Sequence, residues 1–319
     1  MRTSKALLRI AILSRYQNTV SRGAETYVKE LAEKLSKENI VDILSGQDAD
    51  SFRKIIEGKY QIVISLNGGI QAMKASLGRL FSNYRLVIPG QAGIGRADIF
   101  KLLVKPDVYI ALTDYMRDWA RKWAWGSKVV KIPNGVDLDK FNPHGEKYAF
   151  KLDRPVILCV GALVWYKHHE RVIEAVSKMD NGSLVIVGKG EKKKELQELL
   201  DKKLPARSKI ISASYDELPK IYRDADIFTL PSWDREAFGI VYIEAMASGL
   251  AVVAPDDSSR REIVGEAGIF VDVTDSEKYA ESLEKCLNTD WHDKLQKQAE
   301  KFSWNKIAKK YKYLFEKLK

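Results

Sequence analysis

The chain has 319 residues, of which 45% are hydrophobic and 30% charged, and its mean hydropathy is −0.28. These values exclude a disordered chain and suit two domains of about 150 residues each. The longest apolar runs, such as residues 156–165, are much shorter than the roughly 20 residues that span a bilayer. The apolar start is interrupted by Arg9 and predicts a strand, not a signal peptide. Cys159 and Cys286 alone make neither a disulfide framework nor a metal cluster, so we expect a cytoplasmic protein.

Positive charge is concentrated in the first half of the chain. Residues 1–150 contain 24 Lys and Arg against 15 Asp and Glu, a net charge of +9, whereas 29 against 28 in residues 151–319 give +1. A basic half is typical of contact with nucleic acid, an anionic membrane surface or a phosphorylated substrate. An ordinary lysine-rich surface gives the same count, so charge alone leaves these alternatives open.

Short apolar runs alternate with amphipathic segments in the first half, which predicts a parallel α/β architecture. A strand at 8–14 is followed by a helix at 24–35, whose buried face is predicted to carry Tyr27, Val28, Leu31 and Leu35. Further strands are predicted at 39–44, 60–66, 84–89, 106–112 and from 128. Residues 141–155, with two prolines and no periodicity, are predicted to be a linker.

The same alternation restarts after the linker. Strands are predicted at 154–161, 182–190, 209–214, 226–232, 251–255 and 267–273, and helices at 169–179, 192–203 and 217–225. A last helix at 304–318 has an apolar face of Trp304, Ile307, Tyr311 and Leu314 that should pack on a neighbour. We therefore predict two doubly wound, Rossmann-like domains, residues 1–145 and 146–302, with a ligand cleft between them and a helical tail at 303–319.

The stretch EAFGIVYIEAMASGLAVVAP (residues 236–255) carries the strongest chemical signal. It follows a predicted strand, and helix start signals near Phe238 and Gly239 place free N–H groups and a positive dipole end at the carboxyl edge of the sheet. Gly239 lets a phosphate approach the backbone closely. Glu244, inside the helix, can accept hydrogen bonds from two ribose hydroxyls, and Glu236 would lie where a sugar sits. The stretch predicts binding of a nucleoside diphosphate sugar.

Several motifs resemble those of the retaining glycosyltransferases of family 4, which have the two-domain GT-B fold. Glu236 and Glu244 resemble that family's pair of glutamates seven residues apart. The other matching stretches are RGAETYVKELAEKL, IPNGVDLDKFNP, VGALVWYKHHERVIEAV, YRDADIFTLPSWDREAFG and FSWNKIAKKY. The resemblance covers about residues 10–312 and implies that the last helix returns to the first domain.

The resemblance also assigns roles on the donor side. Lys167 matches the lysine that binds the donor diphosphate, Glu236 the acid near the donor sugar and Glu244 the ribose-binding acid; Lys167 and Glu236 are our catalytic candidates. Gly23 matches one of two glycines near the donor phosphates. The remaining donor-binding candidates lie in or beside the matching motifs: Gly239, Phe238, Ile240, His168 and Tyr215.

Two departures from the family pattern concern charge and the acceptor. The family's arginine after the phosphate-loop glycine is Ala162 here, and His168, Arg171 or Arg22 would have to supply the missing charge. The family's N-domain histidine is also absent, because no histidine precedes His144. The acceptor-side candidates are Gln91, Asp98 and Asn67.

Some short motifs resemble metal-binding or dinucleotide-binding sequences only in part. Asp224-Ala225-Asp226 and Asp48-Ala49-Asp50 mimic a metal-binding Asp-x-Asp, but we expect no metal and no bound cofactor, with a UDP- or GDP-linked sugar as the donor. The glycines of VGKGEKKK and PGQAGIG are partial dinucleotide fingerprints that lack the surrounding unit, so NAD is not expected.

Two rival functions remain. A nucleic-acid-binding module would explain the basic half of the chain, but it would explain no feature of residues 236–255. We therefore expect no nucleic acid partner. The second rival is a protein of the same fold that hydrolyses or epimerises its nucleotide sugar, which free sugar or an isomer formed without any acceptor would reveal.

Residues 114–128 (DYMRDWARKWAWGSK) mix three tryptophans with basic residues. Trp119 and Trp123 are predicted to share a helix face, with Arg117 and Arg121 on another. This pattern fits either ordinary core packing or contact with an anionic membrane surface. Together with the basic first half, it favours a peripheral membrane enzyme acting on a glycan or lipid-linked acceptor. Oligomeric state is not indicated.

Overall fold

A computed structural model describes residues 7–17, 19, 23–233 and 235–318. Arg22, one candidate for the missing phosphate-loop charge, lies outside the described residues. The chain forms two compact units: the first comprises Met1–Gly135 with Trp304–Lys319, and the second Val136–Ser303.

The first unit contains a parallel six-stranded sheet in the order β2-β1-β3-β4-β5-β6. Its strands are β1 (Arg9–Ser14), β2 (Ile40–Ser45), β3 (Ile62–Ser65), β4 (Arg85–Pro89), β5 (Val108–Ala111) and β6 (Lys128–Lys131). The helices between them are α1 (Gly23–Ser36), α2 (Phe52–Glu57), α3 (Gly69–Gly78), α4 (Arg96–Leu103) and α5 (Asp114–Arg121). β3 and β5 are buried along their whole length, as expected of parallel strands covered on both faces.

The second unit repeats the plan, with sheet order β12-β11-β10-β7-β8-β9. Its strands are β7 (Val156–Val160), β8 (Ser183–Val187), β9 (Ser208–Ile211), β10 (Ile227–Thr229), β11 (Ala251–Pro255) and β12 (Gly268–Val271). Its helices are α6 (His169–Val176), α7 (Lys193–Lys203), α8 (Leu218–Arg223), α9 (Ile240–Ala247), α10 (Ser258–Val264), α11 (Ser276–Leu287) and α12 (Lys294–Glu300). The predicted parallel α/β class is confirmed.

The last helix, α13 (Trp304–Glu316), belongs to the first unit. Its Tyr311 hydroxyl hydrogen-bonds that of Tyr27 on α1 at 2.5 Å, and the Tyr27 and Trp304 rings lie 6.1 Å apart. The apolar faces predicted for both helices are confirmed, because their members are all buried.

Two sequence expectations differ from the structure. α5 ends at Arg121, so Trp123 lies in the following turn and does not share a helix face with Trp119. Helices α2, α3, α4, α10, α11 and α12 were not predicted at all. Residues 141–155 do lack helix and strand, although Phe141 and Phe150 within them are buried.

Candidate active site

The topology of the second sheet brings two loops together. β7 and β10 are neighbours at the centre of the sheet, and the strand order reverses between them. In a doubly wound sheet the connections leave such a pair of strands toward opposite faces, which opens a crevice at their carboxyl ends. The loop after β7, residues 161–168, carries Lys167, and the loop after β10, residues 230–239, carries Glu236. We call them the lysine loop and the glutamate loop.

The two catalytic candidates contact each other directly. The Lys167 ammonium donates a hydrogen bond to Glu236 Oε2, and the two side chains are only 16% and 11% exposed. An ion pair at this depth interacts more strongly than one in bulk water, because the local dielectric constant is lower. The contact places one cation and one carboxylate at the mouth of the crevice.

Backbone anchors hold the glutamate loop in place. Ser232 Oγ donates to the Tyr166 carbonyl at 3.1 Å, which joins the two loops. The Arg260 guanidinium, only 3% exposed, donates to the carbonyls of Glu236 at 2.9 Å and Trp233 at 3.3 Å. Arg260 was not predicted. The sequence feature that could have indicated Arg260 is Asp257, three residues earlier, which caps α10 and also accepts a hydrogen bond from the Arg260 guanidinium.

The lysine loop is held by neighbouring histidines. His168 takes a left-handed backbone conformation (φ 53°) and stacks on Trp233 with ring centroids 3.9 Å apart. His169 is buried. Because a carbonyl only accepts, its Nε2–H donates to the Ala162 carbonyl at 3.1 Å, and Nδ1 faces the Cys159 thiol at 3.4 Å. Burial lowers the pKa of His169 to about 4, so its ring stays neutral at ordinary pH.

Two glycines outside the loops explain the partial dinucleotide fingerprint. A Cβ on Gly188 would lie 2.0 Å from the Gly161 carbonyl oxygen, and one on Gly190 would lie 2.2 Å from that of Leu163. Both glycines are therefore needed for close packing of the β8 exit against the lysine loop. Their packing role lies beside the candidate site.

Helix α9 begins at the end of the glutamate loop. Gly239 precedes it with φ 81°, and a Cβ there would lie 2.6 Å from the Tyr242 ring. The Phe238 side chain is buried against Phe302, so only its backbone is available to a ligand. Ile240, half-buried, is the first helical residue. The positive end of α9 thus lies beside Lys167 and Glu236, where an anion is favoured.

Glu244 lies within α9 and is buried. It accepts a hydrogen bond from the Tyr222 hydroxyl at 3.0 Å, and burial together with the Glu244 charge raises the Tyr222 pKa well above its ordinary value. Tyr222 packs on Phe141, which also contacts Tyr215. Tyr222 was not predicted. The ribose-binding role of Glu244 and the donor role of Tyr215 stay predictions.

The candidates in the first unit already have protein partners. Asn67 Oδ1 accepts from the Arg15 amide at 2.6 Å, which joins the exits of β3 and β1. Gln91 and Asn134 exchange a pair of amide hydrogen bonds of 2.7 and 3.1 Å.

Asp98 is 1% exposed and interacts with Lys101 and the Tyr109 hydroxyl. Burial raises the pKa of Asp98 despite that ammonium. The structure therefore places Asp98 in the core, not on an accessible surface. Gly23 is the exposed first residue of α1.

The Asp-x-Asp pairs have structural partners. Asp224 and Asp226 both bind Arg154, and each accepts a backbone N–H, from Phe150 and Val156 respectively. Asp48 pairs with Lys54, and Asp50 with Arg15. Within residues 7–17, 19, 23–233 and 235–318, no three His, Cys, Asp or Glu side chains are grouped so as to hold a metal ion.

Comparison with known proteins identifies the family. The model of the glycosyl transferases group 1 matches residues 141–306, slightly more than half of the chain, and includes both loops and α9. The chain belongs to this family. Its overall architecture is the GT-B fold with two Rossmann-like domains: the Anabaena protein HepE, solved with UDP and glucose, superposes with a TM-score of 0.83 at 17% identity, covering 97% of this chain and all of HepE.

Two curated relatives come from Mycolicibacterium smegmatis. A phosphatidyl-myo-inositol mannosyltransferase is 28% identical over 221 residues, 65% of this chain and 56% of the relative. A GDP-mannose-dependent alpha-(1-6)-phosphatidylinositol monomannoside mannosyltransferase is 31% identical over 191 residues, 53% of this chain and 50% of the relative. The chain thus spans about half the length of the curated relatives it matches.

Proposed function

We propose that this protein is a retaining hexosyltransferase that moves a sugar from a nucleoside diphosphate sugar to a glycan or lipid-linked acceptor. The observation that carries the proposal is the Lys167–Glu236 pair, held at the switch point of the second sheet beside the start of α9. A lysine and a helix N-terminus together suit a diphosphate, and a carboxylate beside them suits sugar hydroxyls.

The chemistry follows from where charge develops. Breaking the bond between the sugar anomeric carbon and the diphosphate oxygen leaves negative charge on the diphosphate. Lys167 and the N–H groups at the start of α9 are already oriented to stabilise that charge. The acceptor oxygen attacks from the face that the diphosphate leaves, which retains the configuration, and its proton passes to the departing phosphate oxygen. This route needs neither a protein base nor a metal ion.

The donor we would test first is GDP-mannose, because the name of one relative specifies that donor. The UDP in the HepE complex makes UDP-glucose the second choice. The phosphatidylinositol named for both relatives makes a lipid-linked inositol the first acceptor to test.

The test has a binding arm and a turnover arm. Thermal unfolding is followed with GDP-mannose, UDP-glucose, GDP and UDP in the presence of EDTA, and a ligand at about 100 times its Kd should stabilise the fold by about 2.7 kcal/mol. Turnover with the stabilising donor and phosphatidylinositol should then give an α-linked product from the α-linked donor. A β-linked product contradicts retention, and an absolute requirement for a divalent ion contradicts the metal-free route.

The same experiment separates the rivals. Free sugar or an isomerised donor without acceptor identifies a hydrolase or epimerase. If no nucleotide stabilises the protein, the site assignment fails, and binding to nucleic acid with a steep salt dependence would take its place.

A further inference from the structure

Helices α3 and α4 of the first unit expose apolar side chains on one continuous face. They contact one another, and Gly69 at the start of α3 lies against the Phe100 ring of α4. The exposed residues recur at helical spacing along α3 with its following turn, and along α4: Ile70, Leu77, Leu80, Phe81, Phe100 and Leu103, between 44% and 78% exposed. We call this surface the α3–α4 face. So many exposed large apolar side chains in one place mark an interaction site.

The α3–α4 face lies in a stretch of the sequence that is rich in basic residues. Residues 58–97 contain no Asp or Glu, although 43 acids in 319 residues would put about five in forty. The same residues include Lys59, Lys74, Arg79, Arg85 and Arg96.

Within α3 and α4, both inside the described chain, the one acid is Asp98, which is buried against Lys101. Arg96, one turn before Phe100 on α4, is exposed like it. Arg79 and Arg85 both pair with Asp107, and Glu57 lies on the neighbouring helix α2. Residues 57–107 still carry seven Lys and Arg against three acids, a net charge of +4, so the surrounding of the apolar face is positive.

The tryptophan segment at 114–128 compares poorly with this face. Two of its four basic side chains are paired, Arg117 with Asp114 and Asp118, and Arg121 with Asp118. Trp125 is 67% exposed, but it lies in a turn and not on an amphipathic helix. The net charge of residues 114–128 is +2, four basic residues against two acids, so this segment offers less positive charge than the α3–α4 face as well as fewer exposed apolar side chains.

We infer that the α3–α4 face docks the protein on an anionic lipid surface, with its apolar side chains in the headgroup boundary and its basic residues against lipid phosphates. An apolar helical face bordered by basic side chains binds in the plane of such an interface. None of the described helices has the length and apolar character needed to cross a bilayer. The inference concerns membrane attachment, goes beyond the transfer reaction, and is tested without turnover.

The experiment is flotation of the full chain with phosphatidylcholine vesicles, with and without phosphatidylglycerol. The wild type should float with the anionic vesicles only, and less at high salt. The double variant Leu77→Ser/Leu80→Ser should lose about tenfold in vesicle affinity, because two exposed apolar side chains no longer enter the interface. Arg96→Glu should weaken it as well. The control is Trp125→Ser in the tryptophan segment. It removes a large apolar side chain whose exposure, 67%, lies between those of Leu77 and Leu80, and it should float like the wild type.

Three results would overturn the inference. The first is a wild type that does not float with anionic vesicles, and the second is a loss of binding in Trp125→Ser but not in the double variant. The third is a wild-type dimer in analytical ultracentrifugation that the double variant abolishes, since the face would then bind a second copy. Nucleotide-induced stabilisation should be the same in all variants, so failure here leaves the proposed transferase function intact.

Discussion

Lys167 and Glu236 differ from the surface Lys–Glu pairs of the second unit in how little solvent reaches them. The Lys178–Glu277 pair is 35% and 70% exposed, against 16% and 11% for Lys167–Glu236. Exposed pairs contribute little to stability, whereas a pair held in a crevice keeps its charges directed at whatever binds there. The exposure therefore favours a role in ligand binding over one in surface stability.

We expect Glu236→Gln to lower kcat by about 100-fold while the protein folds normally. Glutamine keeps the size of the side chain and can still accept from Lys167, but the charge that orients the sugar is lost. Lys167→Met should lower kcat by about the same factor and also weaken nucleotide binding, because the charge on the leaving diphosphate loses its cation. Steady-state kinetics and nucleotide titration measure both effects.

The control for this prediction is the surface pair. Lys178→Met and Glu277→Gln remove the same chemical groups and should leave kcat within about twofold. If Glu236→Gln behaved like Glu277→Gln, the buried pair would be structural, and the catalytic assignment would be wrong.

His169 makes stability depend on pH. Its pKa is lowered to about 4 in the folded protein, against about 6.5 in an unfolded chain. As pH falls from about 6.5 to 4, the unfolded state takes up a proton that the folded state does not, so the free energy of unfolding decreases by up to about 3 kcal/mol.

We expect His169→Gln to remove most of this acid sensitivity, because the amide can still donate to the Ala162 carbonyl but does not titrate. Urea unfolding at a series of pH values measures it. His144→Gln, at an exposed histidine, should leave the pH dependence unchanged. Parallel pH profiles for wild type and His169→Gln would show that another group causes the acid sensitivity.

At the scale of single elements, the start of α9 depends on one glycine. Gly239 has φ 81°, which side chains rarely adopt, and a Cβ would meet the Tyr242 ring, whose hydroxyl is fixed on the Leu230 carbonyl at 2.7 Å. We expect Gly239→Ala to cost about 1–3 kcal/mol in unfolding free energy and to displace the helix start, so that nucleotide no longer stabilises the protein.

The comparison for Gly239 is Gly95, which precedes α4. Its backbone is extended, and a Cβ there would meet nothing within 4 Å. Gly95→Ala should change stability by less than about 0.5 kcal/mol. Equal effects of the two substitutions would contradict the conformational argument.

The strands and several helices followed from simple sequence patterns, whereas six helices, α2, α3, α4, α10, α11 and α12, did not. Strands such as β7 are continuous apolar runs because both faces are covered, and α1 alternates a buried with a charged face, so both follow from simple patterns. α3 and α4 have apolar side chains on the outside as well, which removes the periodicity that marks a helix. For α3 and α4, the exposed apolar side chains that obscure the helical pattern also indicate the membrane surface. α11 has a regular buried face and was not predicted either, so this reason does not apply to every helix.

The candidate site was only partly predictable, for a topological reason. Lys167 and Glu236 are 69 residues apart, and nothing local indicates that they touch; the resemblance named them, and the adjacency of β7 and β10 brings their loops together. Arg260 could not be found in this way. In the sequence it is indistinguishable from Arg261, whose side chain is 58% exposed, and only the fold buries one and exposes the other.

At the scale of the whole molecule, chain order and spatial units do not coincide. The last helix, α13, follows the entire second unit but completes the first, where it covers α1. Residues near the C-terminus should therefore affect the stability of the first unit and not the donor candidates of both loops and α9, which belong to the second; of the donor candidates, Gly23 on α1 belongs to the first unit.

Two tyrosines of α13 test this division. Tyr311 is fully buried against Tyr27, whereas Tyr313, two residues later, is 60% exposed. We expect Tyr311→Ala to lower the unfolding free energy of the first unit by about 3 kcal/mol, because it leaves a large cavity beside α1 and removes the partner of the Tyr27 hydroxyl. Tyr313→Ala should change it by less than about 0.5 kcal/mol.

Calorimetry with and without nucleotide separates the two units. In Tyr311→Ala, a transition that nucleotide does not shift should move to lower temperature, while the nucleotide-stabilised transition stays where it is in the wild type. If Tyr311→Ala instead abolished nucleotide stabilisation in the still-folded protein, α13 would contribute to the donor site itself. The donor site could then no longer be assigned to the second unit alone, because a helix of the first unit would contribute to it.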